Sequence, residues 1–485
     1  MKYFLLFPIL FPVLTALAIC WKPVRRDLTT LHHFVMAAAL INSISLLWLL
    51  FQPDTDPLVL FSFSEKLQFL LAMDGMSRVF VLIISILWPI TTYYAFDYMA
   101  HEGGEDRFFA FFLLSYGVSA GIALSGNLVT LYLFFEMLTL ATLPLVMHKM
   151  DDRARYAGKR YMLYSMTGAA FGFIAIVFTQ FYGSGGAFTL GGILDEGLSG
   201  DALFHLRIAF TLAFFGFGVK AALLPMSFWL PAASVAPTPV TALLHAAAVV
   251  KAGAFACIRL TFYTFDRSLL TGTFAQYVPM AFAIATIVFG SFMALRSSHL
   301  KRRLAWSTVS NLSYILFSVL LMTEAGLLGG CMHMLAHALI KITLFFCVGS
   351  ILVSTGKEYI DEIRGYYGIM PLTFVAFAIA SLALMGVPPT PGFNAKWQIG
   401  TAAMAAGGFL PMLGVAALML STLLTAIYLM TILAHACFPA DGIIQRGERV
   451  EKRRMVIAQL ILCALMVVMG FGNNALQSAI TGWLF

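Results

Sequence analysis

The chain has 485 residues, of which 60% are hydrophobic and only 11% charged, with a net charge of +7 and a mean hydropathy of +0.88. A water-soluble domain would carry about 25% charged residues, so this composition excludes one and reads as an integral membrane protein. Its positive charge is spread over many loops rather than gathered on one patch, which argues against nucleic acid as a partner.

A helix needs about 20 apolar residues to cross roughly 30 Å of hydrocarbon. Fourteen such segments are predicted, centred near residues 12, 41, 86, 116, 136, 171, 216, 250, 285, 312, 340, 387, 424 and 467. The apolar runs are continuous and lack two-residue alternation, which excludes a membrane β-barrel. The expectation is therefore an all-α membrane protein.

Met1–Cys20 is apolar, has no small-residue cleavage site and is followed by Lys22, Arg25 and Arg26; it reads as a first, retained span. Basic residues then recur in alternate loops. Arg107 lies in the third; Lys149, Arg153, Arg155, Lys159 and Arg160 in the fifth; Arg296, Lys301, Arg302 and Arg303 in the ninth. Lys357 and Arg364 follow in the eleventh, and Arg446, Arg449, Lys452, Arg453 and Arg454 in the thirteenth. The even-numbered loops hold only Lys66, Arg207 and Arg267. Positive loops face the cytoplasm, so both termini are expected outside. The outward connection Gly183–Gly200 is the longest and is expected to be mobile.

The fifth segment, LVTLYLFFEMLTLATLPLV, carries Glu136 in its middle. The seventh carries Lys220, then AALLPMSFWLP with Pro225 and Pro231; the twelfth has Pro388, Pro389 and Pro391 before GFNAKW and Lys396. Proline removes a donor and crowds the preceding turn, so both helices should be broken. Broken backbone at membrane depth belongs inside protein or beside a wet cavity. The breaks lie five segments apart, and an odd offset reverses the direction of crossing, which predicts two inverted five-helix repeats. The expected organisation is a single membrane domain: leading helices 1–3 over residues 1–100, a first repeat of helices 4–8 over 105–265, a second of helices 9–13 over 270–438, and helix 14 over 452–485.

Counted at 1.5 Å per residue, Glu136, Lys220, Lys251 and Lys341 fall ~14, ~18, ~16 and ~21 Å into their segments, near the midplane of a ~30 Å core. Lys396 lies just past the second break. A charge at that depth costs roughly 3 kcal/mol or more and persists where it has a partner, water or a role. Four amines against one carboxylate cannot all be satisfied by ion pairing. A buried lysine beside a movable carboxylate can hold or release a proton, whereas its positive charge repels Na+. His333, His337 and Lys341 recur every four residues in CMHMLAHALIKI and share one face. His245 stands six residues before Lys251 and is expected on a different side of the same helix. These eight residues are the candidate proton pathway; a structural role, linking helices by hydrogen bonds, is the alternative for each histidine.

Asp74 and Arg78 are four apart and are expected to form a local ion pair; Arg259 is expected near the outer surface. Ser165, Thr167, Ser310, Asn311 and Ser313 suit either water or helix–helix hydrogen bonds. The six cysteines include no CxxC, which argues against a metal or iron–sulfur centre. No Walker A or GxGxxG stretch is present, so no nucleotide cofactor is expected.

FFEMLTLATLPL, GVKAALLPMSFWLPAASVAPTPVTALLHAAAVVKAG, HMLAHALIKITLFF and GVPPTPGFNAKW resemble the antiporter-like subunits shared by respiratory complex I, Mrp-type cation/proton antiporters and membrane-bound energy-converting hydrogenases. The resemblance covers nearly the whole chain. It implies that Glu136 and Lys220 form a coupling pair, that Lys251 and His245 continue a hydrated axis, and that His337 and Lys341 lead it to Lys396. It further implies H+ transport without a cofactor, partner membrane subunits with Na+ left to them, and a bacterial or archaeal plasma membrane rather than a mitochondrial one. Such a chain has no active centre of its own and serves a redox-driven pump or a cation/proton antiporter. Two departures stand out: Ala232 and Ala233 replace the usual Asp-Ala after WLP, and Lys396 stands where one complex I subunit has glutamate. A stand-alone transporter of a small solute is the rival reading.

Overall fold

Long runs of Leu, Ile, Val, Phe and Ala without charge leave a chain in lipid no way to satisfy its backbone except within helices. The computed structural model follows that rule; it describes every residue except 1, 25, 26, 55, 65, 184, 196, 439–441, 443 and 446. The loop charges Arg25, Arg26 and Arg446 thus lie outside the described residues.

The helices are α1 (Phe7–Ala18), α2 (Leu28–Leu50), α3 (Gly75–Glu102), α4 (Glu105–Ala123), α5 (Leu128–Val146), α6 (Asp152–Tyr182) and α7 (Gly200–Gly218). Next come α8 (Trp229–Ala233), α9 (Thr238–Ala246), α10 (Val249–Ile258), α11 (Arg267–Leu270), α12 (Phe274–Arg296) and α13 (Leu300–Leu320). The last six are α14 (Glu324–Thr355), α15 (Pro371–Met385), α16 (Pro391–Ala406), α17 (Phe409–Cys437), α18 (Arg453–Phe471) and α19 (Asn473–Leu484). Ten helical stretches among the described residues are long and apolar enough to cross a membrane, counting Thr238–Thr264 as one. The protein is multi-pass.

α14 is the central column, 32 residues long, touching α3, α9, α13, α15, α16, α18 and α19. Three of these neighbours, α9, α13 and α16, together with α10, which continues α9, carry the polar residues described below.

The chain is not purely helical. Leu58–Ser62 (β1) and Gln68–Leu71 (β2) pair as an antiparallel hairpin that the apolar patterning did not reveal. Its second strand is stitched to the start of α5: Gly126 N–H donates to Leu70 O at 2.9 Å, and Leu70 N–H to Thr130 Oγ1 at 2.8 Å. The loop expected to be mobile is also pinned. Phe188 N–H donates to Gly126 O at 2.7 Å, and Gly191 and Ile193 donate to the carbonyls of Phe262 and Thr264. Those carbonyls are offered by a π-helical turn, Arg259–Thr264, whose wider register turns them towards the loop.

Asp74 and Arg78 do not pair with each other. Asp74 caps α3 through Ser77 N–H and accepts two hydrogen bonds from Arg259, at 2.6 and 2.7 Å, while Arg78 reaches Asp54 at 2.7 Å. Arg259 is fully buried, with Phe188, Phe255 and Tyr263 rings within 5.0 Å of its guanidinium carbon. Arg259 ends α10 as its C-cap, and its fork, which makes two bonds to a carboxylate, outcompetes a single i,i+4 contact. Burial pushes the Asp74 carboxyl up, and the Arg259 guanidinium more than offsets this, leaving it below the ordinary carboxylate range.

Arg259→Ala strands Asp74 and should cost about 3 kcal/mol, seen as a lower melting temperature of the solubilised protein. Because the folded carboxyl is depressed, its stabilising contribution is complete above pH ~4 and is lost as the pH falls further. Asp74→Asn should flatten that acid limb in the same melts.

Candidate functional site

Each embedded charge sits where the backbone is irregular or where a neighbouring helix offers an acceptor. After α7 the chain runs non-helically through 219–228, with Ala222 at φ +57°. Two backbone groups in this stretch find side chains instead: Val219 O accepts from Trp229 Nε1 at 2.7 Å, and Leu224 N–H donates to Thr286 Oγ1 at 3.1 Å. Such substitutes are what buried irregular backbone requires. Lys220 opens this stretch. Its Nζ donates to the Phe135 carbonyl, lies 3.5 Å from the centre of the Phe135 ring and stands 3.7 Å from Glu136 Oε1. Lys220 is 1% exposed and Glu136 27%, so the pair spans from the packed interior to an open flank of α5.

His245 and Lys251 do not share one regular helix, contrary to the sequence expectation. The N–H groups of Ala247 and Ala248 both converge on Leu243 O, so α9 ends at Ala246 and regular winding resumes only at Val249. No bulky side chain in this Ala-Ala-Ala run resists the widened turn. Lys251 donates to His337 Nδ1 at 2.7 Å, joining α10 to α14. Gly253 lets this happen: a Cβ there would meet Ala221 N at 2.5 Å, so α10 lies directly on the break after α7. His245 turns elsewhere, with Nε2 3.5 Å from Ser234 Oγ and its ring 4.7 Å from that of Phe345.

The α14 face unfolds as three different contacts. His337 meets Lys251. Lys341, one turn on, donates to Ser307 Oγ and, at 3.0 Å, to Leu304 O of α13. His333, one turn back, has its ring 5.3 Å from Tyr314 and 5.8 Å from His337. Lys396 completes the row. Its three N–H bonds go to Leu384 O (2.8 Å), Met385 O (3.1 Å) and Thr422 Oγ1 (3.1 Å). The two carbonyls are freed because α15 ends at Met385, and the negative end of a helix is where an ammonium is stabilised. Gly386, at φ +86°, makes that close approach possible: a Cβ there would be 3.3 Å from Lys396 Cδ.

Two contacts are therefore direct, Glu136–Lys220 and Lys251–His337, while Lys341, His333 and Lys396 are joined through α13 and α17. Sequence reasoning did not single out Tyr314, Ser307, Thr422 or Tyr428. Their signal was present: hydroxyls recurring three, four and seven residues apart along α13 and α17. All four lysines bury their ammonium against neutral oxygen, nitrogen or ring faces; only Lys220 has a carboxylate near it.

The description "NADH:quinone oxidoreductase/Mrp antiporter, TM" belongs to the family model that matches residues 125–425. NADH-quinone oxidoreductase subunit N of Desulforudis audaxviator is 30% identical over 427 residues, covering 84% of this chain and 83% of that protein. A probable K(+)/H(+) antiporter subunit of Rhizobium meliloti is 33% identical over 336 residues, 68% of this chain and 32% of that longer one. Among solved structures, a chain of the membrane-bound sulfane sulfur reductase, an archaeal respiratory membrane complex, superposes with a TM-score of 0.86. The match covers 98% of this chain and 96% of that one, at 23% identity, and establishes the fold.

Lys341→Met should stabilise the protein by about 1–2 kcal/mol, because a hydrophobic side chain of similar length needs no desolvation and orphans nothing: Ser307 still donates to Leu304 O. A rise in the melting temperature in detergent checks this; a fall would mean the amine is a net structural asset.

Proposed function

Because the chain belongs to the NADH:quinone oxidoreductase/Mrp antiporter membrane family, we propose that it is a proton-translocating subunit of a multisubunit ion-pumping membrane complex. Other membrane subunits are its partners. Protons move along the midplane row of Glu136, Lys220, Lys251, His245, His333, His337, Lys341 and Lys396, with Na+ left to partner subunits. One observation carries this reading: Lys220, Lys251, Lys341 and Lys396, all at most 7% exposed, lie on neighbouring elements, and among the described residues only Lys220 of the four is paired with a carboxylate. Structural ion pairing needs as many anions as cations. Proton transfer needs bases that can be neutral in turn.

Lys220, within reach of Glu136, keeps its proton while the carboxylate is close and gives it up when the pair separates. The non-helical stretch behind Lys220, in contact with Gly253, allows its amine to turn towards Lys251 without unwinding a regular helix. Lys251 passes the proton to His337 across 2.7 Å. From there Lys341 and His333 stand one turn to either side, and Lys396 ends the row. His245 supplies a third imidazole, at the α9–α14 contact.

The architecture behind this reading has fourteen crossings. The ten long apolar stretches are joined by the stretch Lys2–Ala18, by α4, by α13 and by the α15–α16 pair. The interruptions after Gly218 and Met385 break the seventh and twelfth crossings, and the two five-helix units, residues 105–265 and 270–438, run inverted to each other. They follow three leading helices in residues 1–100 and precede a last helix in 452–485. The basic loops face the cytoplasm of a bacterial or archaeal cell, which puts both termini outside its plasma membrane.

Lys220→Ala, Glu136→Gln and Lys396→Ala should each lower proton transport by the assembled complex at least about tenfold, the scale of losing one proton-transfer group. Quenching of a pH-sensitive dye in everted vesicles reads this. Full-rate transport by Lys220→Ala at normal assembly would refute the pathway.

A further inference from the structure

One face of α17 carries Ser421, Thr425 and Tyr428 at the helical period, with His435 two turns beyond. Facing it, α13 carries Arg303, Ser307, Ser310 and Tyr314, spaced four, three and four. The two stripes run antiparallel and meet in two groups. In the inner group the Tyr314 hydroxyl donates to Ser421 Oγ at 2.6 Å, which also lies 3.0 Å from Ser310 Oγ and 2.5 Å from Ser291 Oγ. Thr422 flanks the Tyr314 hydroxyl and accepts from Lys396. In the other group Ser307 takes an N–H of Lys341 and faces Tyr428, whose hydroxyl donates to Thr425 Oγ1 at 3.1 Å. Arg303 holds the Tyr428 carbonyl at 2.8 Å, and beyond it His435 stands 3.5 Å from Asp361, both partly exposed in the basic-loop region.

Helix–helix adhesion needs one or two such bonds per crossing. Here the hydroxyls form a row that runs from Tyr428, where Arg303 holds the backbone on the basic-loop side, to two buried amines. A serine hydroxyl has one proton and two acceptor sites. Ser421 has three hydroxyl neighbours, so its bond directions interchange without moving a heavy atom, which is the property a proton relay uses.

We propose that this seam between α13 and α17 is a second proton-access route, running from the basic-loop face to Lys341 and Lys396. It rests on the proton-translocating reading and adds a path outside the charged row. A proton arrives at one lone pair of each hydroxyl while the hydroxyl's own proton leaves on the other side, so only O–H and N–H bonds exchange and nothing is consumed. At three positions a hydroxyl donates to a carbonyl, Thr425 to Ser421 O at 2.7 Å, Ser307 to Leu304 O at 2.9 Å and Ser310 to Ile287 O at 2.9 Å; water entering from the basic-loop face carries the proton to Tyr428 and past these positions.

Two measurements on the assembled complex test the seam. With the two cysteines that are not buried removed (Cys20→Ser, Cys437→Ser), Thr425→Cys should react with a membrane-impermeant methanethiosulfonate in everted vesicles and not in right-side-out ones. Tyr428→Phe, which keeps the ring and the packing, should slow proton transport roughly tenfold, the effect of one hydrogen bond in the barrier. An unreactive Thr425→Cys, one labelled only from the opposite face, or a Tyr428→Phe complex at full rate overturns the seam. Lys220→Ala separates the two readings. If it abolishes transport while the seam tests fail, the seam alone is wrong; if it leaves transport intact, the translocation reading itself falls.

Discussion

An ammonium taken out of water must be resolvated by the protein, and in this chain much of the irregular backbone serves that need. The contact of Lys396 with Leu384 O and Met385 O shows the constraint at its simplest. A carbonyl inside a regular helix is already committed four residues on and has only its second lone pair to offer. Ending α15 at Met385 frees acceptors in the interior, and the amine of the following helix folds back onto them. Lys220 obeys the same rule from the other side: it stands in the non-helical stretch itself and borrows Phe135 O from an adjoining helix. Breaks and amines are one feature seen twice.

Packing then fixes how close these amines come. Gly253 allows α10 to lie on the backbone of Lys220 and Ala221, and Gly386 does the same for the Lys396 stem. Around them the interior is apolar and dense, with Phe255, Phe345 and Leu344 fully buried. Such walls raise the cost of any charge left without a partner. They also confine polar traffic to the few places where hydroxyls and imidazoles face one another.

Much of this was legible from residue type alone. Charges inside 20-residue apolar runs are conspicuous, and prolines at 225, 388, 389 and 391 mark where winding stops. The i,i+4 spacing of His333, His337 and Lys341 placed them on one face, although the three turn out to serve different neighbours. What stayed hidden had no one-dimensional signal. The widened turn at Ala247–Ala248 leaves no proline or glycine mark, because an all-alanine run neither favours nor resists it. Asp74 and Arg259 are 185 positions apart, and only the packing of α10 beside the start of α3 brings them together. The hairpin Leu58–Leu71 is short, and its pairing depends on the start of α5. Serines and threonines are the hardest to read, since the same hydroxyl bonds its own helix, a neighbour or a lysine.

The scarcity of carboxylates has a further consequence. Two like charges on the order of 10 Å apart repel by about 1.7 kcal/mol at an effective dielectric near 20. With four amines in one core and a single Glu136 beside them, simultaneous charging of all four is opposed by several such terms at once. Charging one site therefore discourages charging its neighbour, and a proton added at one end favours release further along. Glu136 is the one group in the row that can reverse the sign of that interaction, and it is also the one with more than a quarter of its surface open. Whatever approaches that flank of α5 changes the electrostatic state of the first lysine, and through it the next, with no helix having to move far.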